Sequence, residues 1–154
     1  MDDPIVERIT AAGATLAVAE SLTGGVLSSE LAKRSHASQW YRGAVVAYSA
    51  DIKHRLLGVR PGPVVSREAA LDMAHGVAAM LDATVALAIT GVGGPEPQDG
   101  HEPGTVWLAI TADGQDMAVR LQLDGSPEDV IEQACRRSVE ALEDHLRACN
   151  VGGA

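Results

Sequence analysis

The chain has 154 residues, 46% of them hydrophobic, with 21 acidic and 12 basic residues and a formal net charge of -9. This length suits one ordinary domain, whose core needs neither disulfides nor metals. The negative charge argues against a nucleic-acid or anionic-membrane partner, because either would require a basic surface. No apolar run approaches a membrane span, and the acidic start at Met1–Pro4 is unlike a signal peptide. We therefore expect one cytoplasmic domain over residues 1–154.

The first third of the chain alternates between helix and strand patterns. Residues 4–12 predict a short helix that ends at Gly13, and residues 14–20 predict the first strand. Apolar residues at helical spacing predict a helix from 24 to about 33, and a second strand follows over residues 44–48.

The middle of the chain continues the same alternation. Asp51 is a candidate cap for a short helix that contains Lys53 and ends at Gly58. A longer helix is predicted over residues 66–81, and the nearly unbroken apolar run 83–89 predicts a strand buried on both faces.

The last third predicts a hairpin and a long helix. After a Gly- and Pro-rich loop over residues 90–104, strands at 105–111 and 117–123 flank the turn signal Ala112–Gly114. Ser126-Pro127 then opens a helix to about residue 148. This order predicts a mixed sheet of about five strands with helices on its faces.

The first strand ends at Ser21, which precedes Thr23, Gly24 and Gly25 at the start of a helix. Glycines let a ligand approach the backbone, and the first amides of a helix favour an anion. Ser21 could therefore attack a carbonyl while nearby N–H groups stabilise the oxyanion. Ser21 and Thr23 could equally cap the helix, and from this segment alone the structural interpretation is favoured.

Two other strand ends carry residues suited to chemistry, namely Tyr48-Ser49 and the glycine-rich Thr90–Pro95. Ligands of open α/β sheets gather at the carboxyl ends of strands. Lys53 follows Tyr48 by about one helical turn, so its amine and the Tyr48 phenol could converge near Ser21. The alternatives are a solvated Lys53 and a Tyr48 that only fills the core.

Three segments, occurring in this order, resemble the CinA C-terminal domain family. They are Ala19–Gly25 (AESLTGG), Ala47–Val59 (AYS and KHRLLGV), and Thr90–Pro95 with Pro103–Val106 (TGVGGP and PGTV). The resemblance covers nearly the whole chain, and the motifs are jointly specific. It implies a three-layer α/β/α sandwich, a homodimer and no cofactor.

The resemblance also implies an activity and site residues. The activity is hydrolysis of nicotinamide mononucleotide to nicotinic acid mononucleotide and ammonia, with Ser21 as nucleophile assisted by Lys53 and Tyr48. For this small-molecule substrate we assign Thr23, Gly24 and Gly25 to the oxyanion hole or the phosphate. The residues expected to line the nucleotide pocket are Thr90, Gly91, Gly93 and Gly94.

The chain departs from the family at two places. Family members often have arginines at the start of the last helix, where this chain has Ser126, Pro127 and Ile131, and the loop 96–102 is acidic and contains His101. These departures motivate two alternatives. One is a non-catalytic nucleotide-binding or regulatory module, and the other is an amidase for a different carboxamide.

Several other residues invite a functional interpretation. Glu20 could orient Lys53 or serve the structure, and the sequence does not decide between them. Trp40 and Tyr41 could stack on a pyridine ring or lie in a dimer interface, whereas Trp107 is expected in the core or an interface.

Cysteines and histidines give no sign of a disulfide or a metal site. Cys135 and Cys149 would lie about 21 Å apart on one helix, beyond disulfide reach. The histidines show no metal-ligand spacing and no Cys-x-x-Cys motif accompanies them, so we expect no metal.

Overall fold

The computed structural model describes residues 3–153. In this range the elements are α1 (Pro4–Ala12), β1 (Leu16–Glu20), α2 (Val26–Ala32), α3 (Ala37–Trp40), β2 (Tyr41–Val46), α4 (Ala50–Leu57), α5 (Arg67–Leu81), β3 (Val85–Gly91), β4 (Thr105–Ala112), β5 (Gln115–Gln122) and α6 (Pro127–Ala148). None of the helices between residues 3 and 153 combines the length and the apolar character that crossing a bilayer requires.

The strands form one mixed sheet in the order β2-β1-β3-β4-β5. β2, β1 and β3 run parallel to one another, whereas β4 is antiparallel to both β3 and β5. The turn between β4 and β5 contains Asp113 and Gly114 at φ 51° and 73°, the left-handed backbone of a type I′ hairpin. The predicted mixed sheet and its hairpin are confirmed.

The two faces of the sheet carry side chains of different size. On β1, Leu16 and Val18 join a cluster of large aliphatic residues from α1, α2, α3 and α6. Ala17 and Ala19 point the other way and pack under α4 and α5. Small side chains on that face let the α5 backbone approach the sheet closely. The resulting α/β/α sandwich confirms the predicted fold class.

Element boundaries differ from the predicted ones where pairing or capping decides them. Strand β2 begins at Tyr41 rather than residue 44, because Tyr41 pairs with Leu16 of β1. Helix α4 begins at Ala50 because Ser49, not Asp51, is the cap, and its Oγ accepts the N–H of Ile52 at 3.3 Å. The four-residue helix α3 was not predicted, since one turn gives no hydrophobic period.

The parallel part of the sheet decides where a site can form. Because β1, β2 and β3 are parallel, their carboxyl ends meet at the same edge. The segments that leave this edge begin at Ser21, Ala47 and Val92. The two glycine-rich loops and the turn that contains Tyr48 therefore lie next to one another. Ligand sites of open α/β sheets form at this edge.

Candidate active site

A cavity of about 320 Å³ opens at this edge, and we refer to it as the strand-edge cavity. Its lining comprises Ser21, Leu22, Tyr48, residues 91–98, Pro127 and Ile131. Residues from the three predicted site segments and from the start of α6 thus line one cavity.

Ser21 is the first residue after β1 and is buried, with 4% of its surface exposed. Alternation along β1 assigns its side chain to the face covered by α4 and α5, because Ala17 and Ala19 lie on that face. Its backbone carbonyl accepts the N–H of Gly24 at 3.0 Å and so closes the turn. This turn places the serine in the lining of the cavity.

Glu20 has a structural role, which settles the question that the sequence left open. The side chain is fully buried, and its carboxylate accepts hydrogen bonds from the Thr23 hydroxyl at 2.5 Å and the Ser28 N–H at 2.9 Å. It also accepts the N–H of Leu27 at 3.1 Å. Glu20 therefore supplies the negative charge that the N-terminus of α2 favours.

The three residues assigned to the oxyanion hole or the phosphate lie outside the cavity lining. Thr23 is buried with its hydroxyl on Glu20, and the N–H of Gly24 is used by Ser21. A Cβ on Gly25 would lie 3.9 Å from Val46. The N–H of Leu22, which does line the cavity, has no protein acceptor within residues 3–153.

The second glycine-rich segment contributes Gly91, Gly93 and Gly94 to the lining of the cavity. Thr90 is not in the lining. It is buried, and its hydroxyl donates to the carbonyl of Val64 at 2.8 Å. A Cβ on Gly93 would lie 3.9 Å from that of Leu22, so the two loops lie close together. The N–H groups of Gly93 and Gly94 also lack a protein acceptor in the described chain.

Lys53 lies in the first turn of α4, with only 2% of its surface exposed. Helical side chains lean towards the N-terminus of their helix, here Ser49 and the sheet edge. Burial lowers the pKa of Lys53 below its ordinary value, and the Asp99 carboxylate opposes that change. Lys53 is not in the cavity lining, and its amine makes no hydrogen bond to an atom of residues 3–153.

Tyr48 lies at the mouth of the cavity with 71% of its surface exposed. It lies two residues after the end of β2 and directly before Ser49, the cap of α4, so one short segment connects the phenol to Lys53. The hypothesis that Tyr48 only fills the core is wrong, because the side chain faces solvent.

Sequence reasoning missed two residues of the site. Leu22 contributes a backbone N–H, and the only signal in the sequence is its position directly after the proposed nucleophile. Asp99 acts on Lys53 from the tip of a loop in which Gln98 and His101 pair. No local pattern could reveal that contact, since it depends on how the loop folds.

The predicted stacking role of the aromatic residues is not supported. Trp40 is buried in the core, and its indole N–H donates to the carbonyl of Ser35 at 3.0 Å. The Tyr41 hydroxyl lies 2.7 Å from that of Ser28. Trp107 is half-buried and packs against the cluster under α5. Neither Trp40 nor Tyr41 lines the strand-edge cavity.

Both cysteines are free and buried. Burial raises the pKa of Cys135 to about 12 and raises that of Cys149 as well, so both thiols are protonated at neutral pH. Neither lines the strand-edge cavity. From residue 3 to residue 153, no three His, Cys, Asp or Glu side chains are grouped so that they could hold a metal ion.

Comparison with known proteins agrees with the sequence motifs. The model of the CinA C-terminal domain matches residues 1–146. A competence-damage inducible protein of Geobacillus kaustophilus is 40% identical over 132 residues, which cover 81% of this chain and 32% of the relative. One from Shouchella clausii is 39% identical, covering 93% and 36%. The chain spans about a third of the length of these curated relatives.

Solved structures show the same fold. A competence-damaged protein (CinA) superfamily protein from Klebsiella pneumoniae has a TM-score of 0.89 at 33% identity, covering 94% of each chain. One from Enterobacter cloacae has a TM-score of 0.90 at 34% identity, covering 93% of this chain and 88% of the other. By motif, family match and fold, the chain belongs to the CinA C-terminal domain family.

Proposed function

We propose that this protein is a serine amidohydrolase that converts nicotinamide mononucleotide to nicotinic acid mononucleotide and ammonia. The observation that carries the proposal is the pairing, in one cavity, of Ser21 with the acceptor-free N–H groups of Leu22 and Gly93. A nucleophile beside two vacant amide donors is the arrangement that acyl transfer requires. Family membership supports the same activity.

In the first step, the Ser21 Oγ attacks the carboxamide carbon and its proton passes to the Lys53 amine. The carbonyl oxygen becomes an oxyanion, for which the N–H groups of Leu22 and Gly93 are the donors. Collapse of this intermediate breaks the C–N bond, and ammonia leaves with a proton returned from Lys53. Water then hydrolyses the ester on Ser21 and releases the carboxylate product.

Lys53 can act as a base only when its amine is neutral. Burial and its position near the positive end of α4 both disfavour the charged form. Tyr48 is placed at the cavity mouth, where its phenol can pass protons between Lys53, the leaving ammonia and solvent. These roles require no metal or cofactor.

The oxyanion hole that we propose differs from the one expected from the sequence. Gly24 already donates to Ser21, and the Thr23 hydroxyl donates to Glu20. Leu22 and Gly93 are both in the cavity lining and lie close together on the two loops. We therefore assign the oxyanion to these two amides.

We further propose that the protein acts as a cytoplasmic homodimer. The groove between α2 and α6, of about 700 Å³, is the candidate contact surface. Its lining includes the apolar Val26 and Val139 together with Arg34, Arg136 and Glu132. A two-fold contact places the same surface on both sides, so its basic and acidic groups can pair across it. Sedimentation of the purified protein tests the dimer.

The test of the activity is ammonia release from nicotinamide mononucleotide by wild type, Ser21→Ala and Ser29→Ala. We expect Ser21→Ala to lose more than about a thousandfold in kcat. Ser29, exposed on α2, is the matched control and should retain full activity. Activity should also survive a chelator.

The outcomes separate the hypotheses. Activity that remains in Ser21→Ala, or that a chelator abolishes, would contradict the mechanism. If wild type binds the nucleotide without releasing ammonia, the protein is a binding module instead.

A further inference from the structure

We infer that Glu96 determines which redox state of the nicotinamide ring the strand-edge cavity selects. Its carboxylate lines the cavity and attracts the positive charge of an oxidised pyridinium ring. The cavity therefore prefers the oxidised nucleotide to the reduced nucleotide, whose dihydropyridine ring is neutral. This inference rests on the proposed function and deepens it, because it concerns the same site and the same substrate.

The proposed reaction fixes where the ring must lie. Ser21 lines the cavity, and the carboxamide carbon of the substrate must reach its Oγ. The ring is bonded directly to that carbon, so it lies among the lining residues, which include Glu96 and the apolar Pro127 and Ile131. Apolar walls keep water from part of the ring, which strengthens the attraction between its charge and a carboxylate of the same lining.

The loop that contains Glu96 is anchored at its base and at its tip. At the base, the N–H of Gly104 donates to the carbonyl of Val92 at 2.7 Å. At the tip, Gln98 and His101 exchange backbone hydrogen bonds of 3.1 and 2.8 Å. Glu96 lies between these two anchors, so the backbone next to it is held in place at the cavity.

Prolines flank Glu96 on both sides and restrict its backbone. Pro95 and Pro97 each have a fixed φ, and Pro97 also disfavours helical backbone at the residue before it. All three residues line the cavity. Glu96 therefore has little backbone freedom to lose when a ligand binds, and its attraction for a cation is offset less by ordering.

A carboxylate of this loop already acts on a cation at the site. Burial lowers the pKa of Lys53, and the Asp99 carboxylate opposes that change by favouring the charged amine. Glu96 is on the same loop and lies in the cavity lining itself. Its carboxylate should therefore favour a positive ring inside the cavity in the same way.

The oxidised and reduced nucleotides form a matched pair of probes. The reduced ring has gained a hydride, which cancels its positive charge, while the carboxamide, ribose and phosphate are the same in both. Any effect of Glu96 on the phosphate is therefore common to the two nucleotides and cancels in the ratio of their dissociation constants. The ratio reports the interaction between Glu96 and the charge of the ring.

Calorimetry at low salt measures both dissociation constants in Ser21→Ala, which should not turn over either nucleotide. We expect the oxidised nucleotide to bind more tightly, and we expect Glu96→Gln in this background to reduce the preference by about threefold, as for an exposed ion pair. Glu102→Gln is the matched control, because Glu102 is exposed on the same loop, also precedes a proline and lies outside the lining. It should leave the ratio unchanged.

Turnover of the oxidised nucleotide gives a second readout. In the otherwise wild-type enzyme, Glu96→Gln should raise KM by about threefold and leave kcat unchanged, because the ring keeps its charge in the transition state and the attraction is uniform. A merely structural role for Glu96 would weaken both nucleotides equally and would lower kcat as well.

The inference is overturned if Ser21→Ala binds the reduced nucleotide as tightly as the oxidised one, or binds neither. Equal effects of Glu96→Gln and Glu102→Gln on the ratio would also overturn it. If wild type releases no ammonia but Ser21→Ala shows the preference and Glu96→Gln reduces it, the proposed activity fails and the role of Glu96 stands.

Discussion

The N–H of Ala47 donates to the backbone carbonyl of Glu20 at 2.8 Å, one residue beyond the last pair of the β1–β2 ladder. This hydrogen bond holds the ends of strands β1 and β2 together at the point where both segments leave the sheet. Ser21 and Tyr48 are the next residues on each chain, and both line the strand-edge cavity. The proposed nucleophile and the phenol are thus positioned by the sheet itself.

Replacing Lys53 by methionine should abolish activity without unfolding the protein. A general base contributes about a hundredfold to ten-thousandfold, so we expect a loss of that order in kcat. Lys53→Met also removes a buried amine, which should raise the stability at neutral pH in urea unfolding. Lys33→Met, at an exposed lysine, is the control and should change neither property.

The stability gain of Lys53→Met should depend on pH. The folded protein lowers the pKa of Lys53 below its ordinary value of 10.5, so the unfolded chain binds more protons between these two values. Wild type therefore gains stability as pH rises through that window, and the advantage of the variant shrinks. A stability difference that is constant from neutral pH to pH 10.5 would contradict a lowered pKa.

Asp99→Asn should shift the pH dependence of the activity. The Asp99 carboxylate raises the pKa of Lys53, so removing its charge should lower that pKa further and move the rising limb of kcat/KM to lower pH. Asp113→Asn is a matched control, because both aspartates have φ 51° and asparagine tolerates this backbone. If both variants give the same profile, Asp99 does not act on Lys53.

Glu20→Gln should destabilise the fold by about 1 to 3 kcal/mol, because the amide can replace only one of the two acceptor oxygens. The amide nitrogen would then face the N–H of Ser28 as donor against donor. Urea unfolding measures the loss, with Glu30→Gln, at an exposed glutamate of α2, as control. Equal stability of the two variants would show that the buried contacts contribute little.

Gly76→Ala should destabilise the protein although alanine favours a helix. An added Cβ would lie 2.0 Å from the carbonyl oxygen of Leu57, where α5 crosses the end of α4. We expect a net loss of roughly 2 kcal/mol in urea unfolding, since overpacking costs more than the gain in helix propensity. Ala79→Gly, on an exposed part of α5, should lose only about 1 kcal/mol. A Gly76→Ala variant as stable as wild type would mean that α4 can move away from α5 and make room for the added Cβ.

Local patterns predicted most of the fold. The turn at Asp113-Gly114, the capped start of α6 at Ser126 and the apolar run of β3 each depend on neighbouring residues, and each element was found. Predictions failed where an element was too short for a period, as in α3, or where pairing set the end, as at Tyr41 in β2.

The site was predicted in part. Ser21, Tyr48 and the glycines of the second loop could be assigned to the carboxyl ends of strands, where ligands of open α/β sheets gather, because the pattern alternates between strand and helix. Their catalytic roles remain predictions. The residue types could not predict which backbone N–H groups lack an acceptor, since every residue except proline carries the same N–H.

By itself, the sequence determined the order of helices and strands, the three motifs and the family, because periodicity, turn chemistry and motif residues are local properties. Only the tertiary structure decided that Glu20 fills the start of α2, that Lys53 is buried near Asp99, and that Leu22 meets Gly93. These relationships depend on which distant segments approach each other and on which groups are removed from water. Local sequence patterns predict neither.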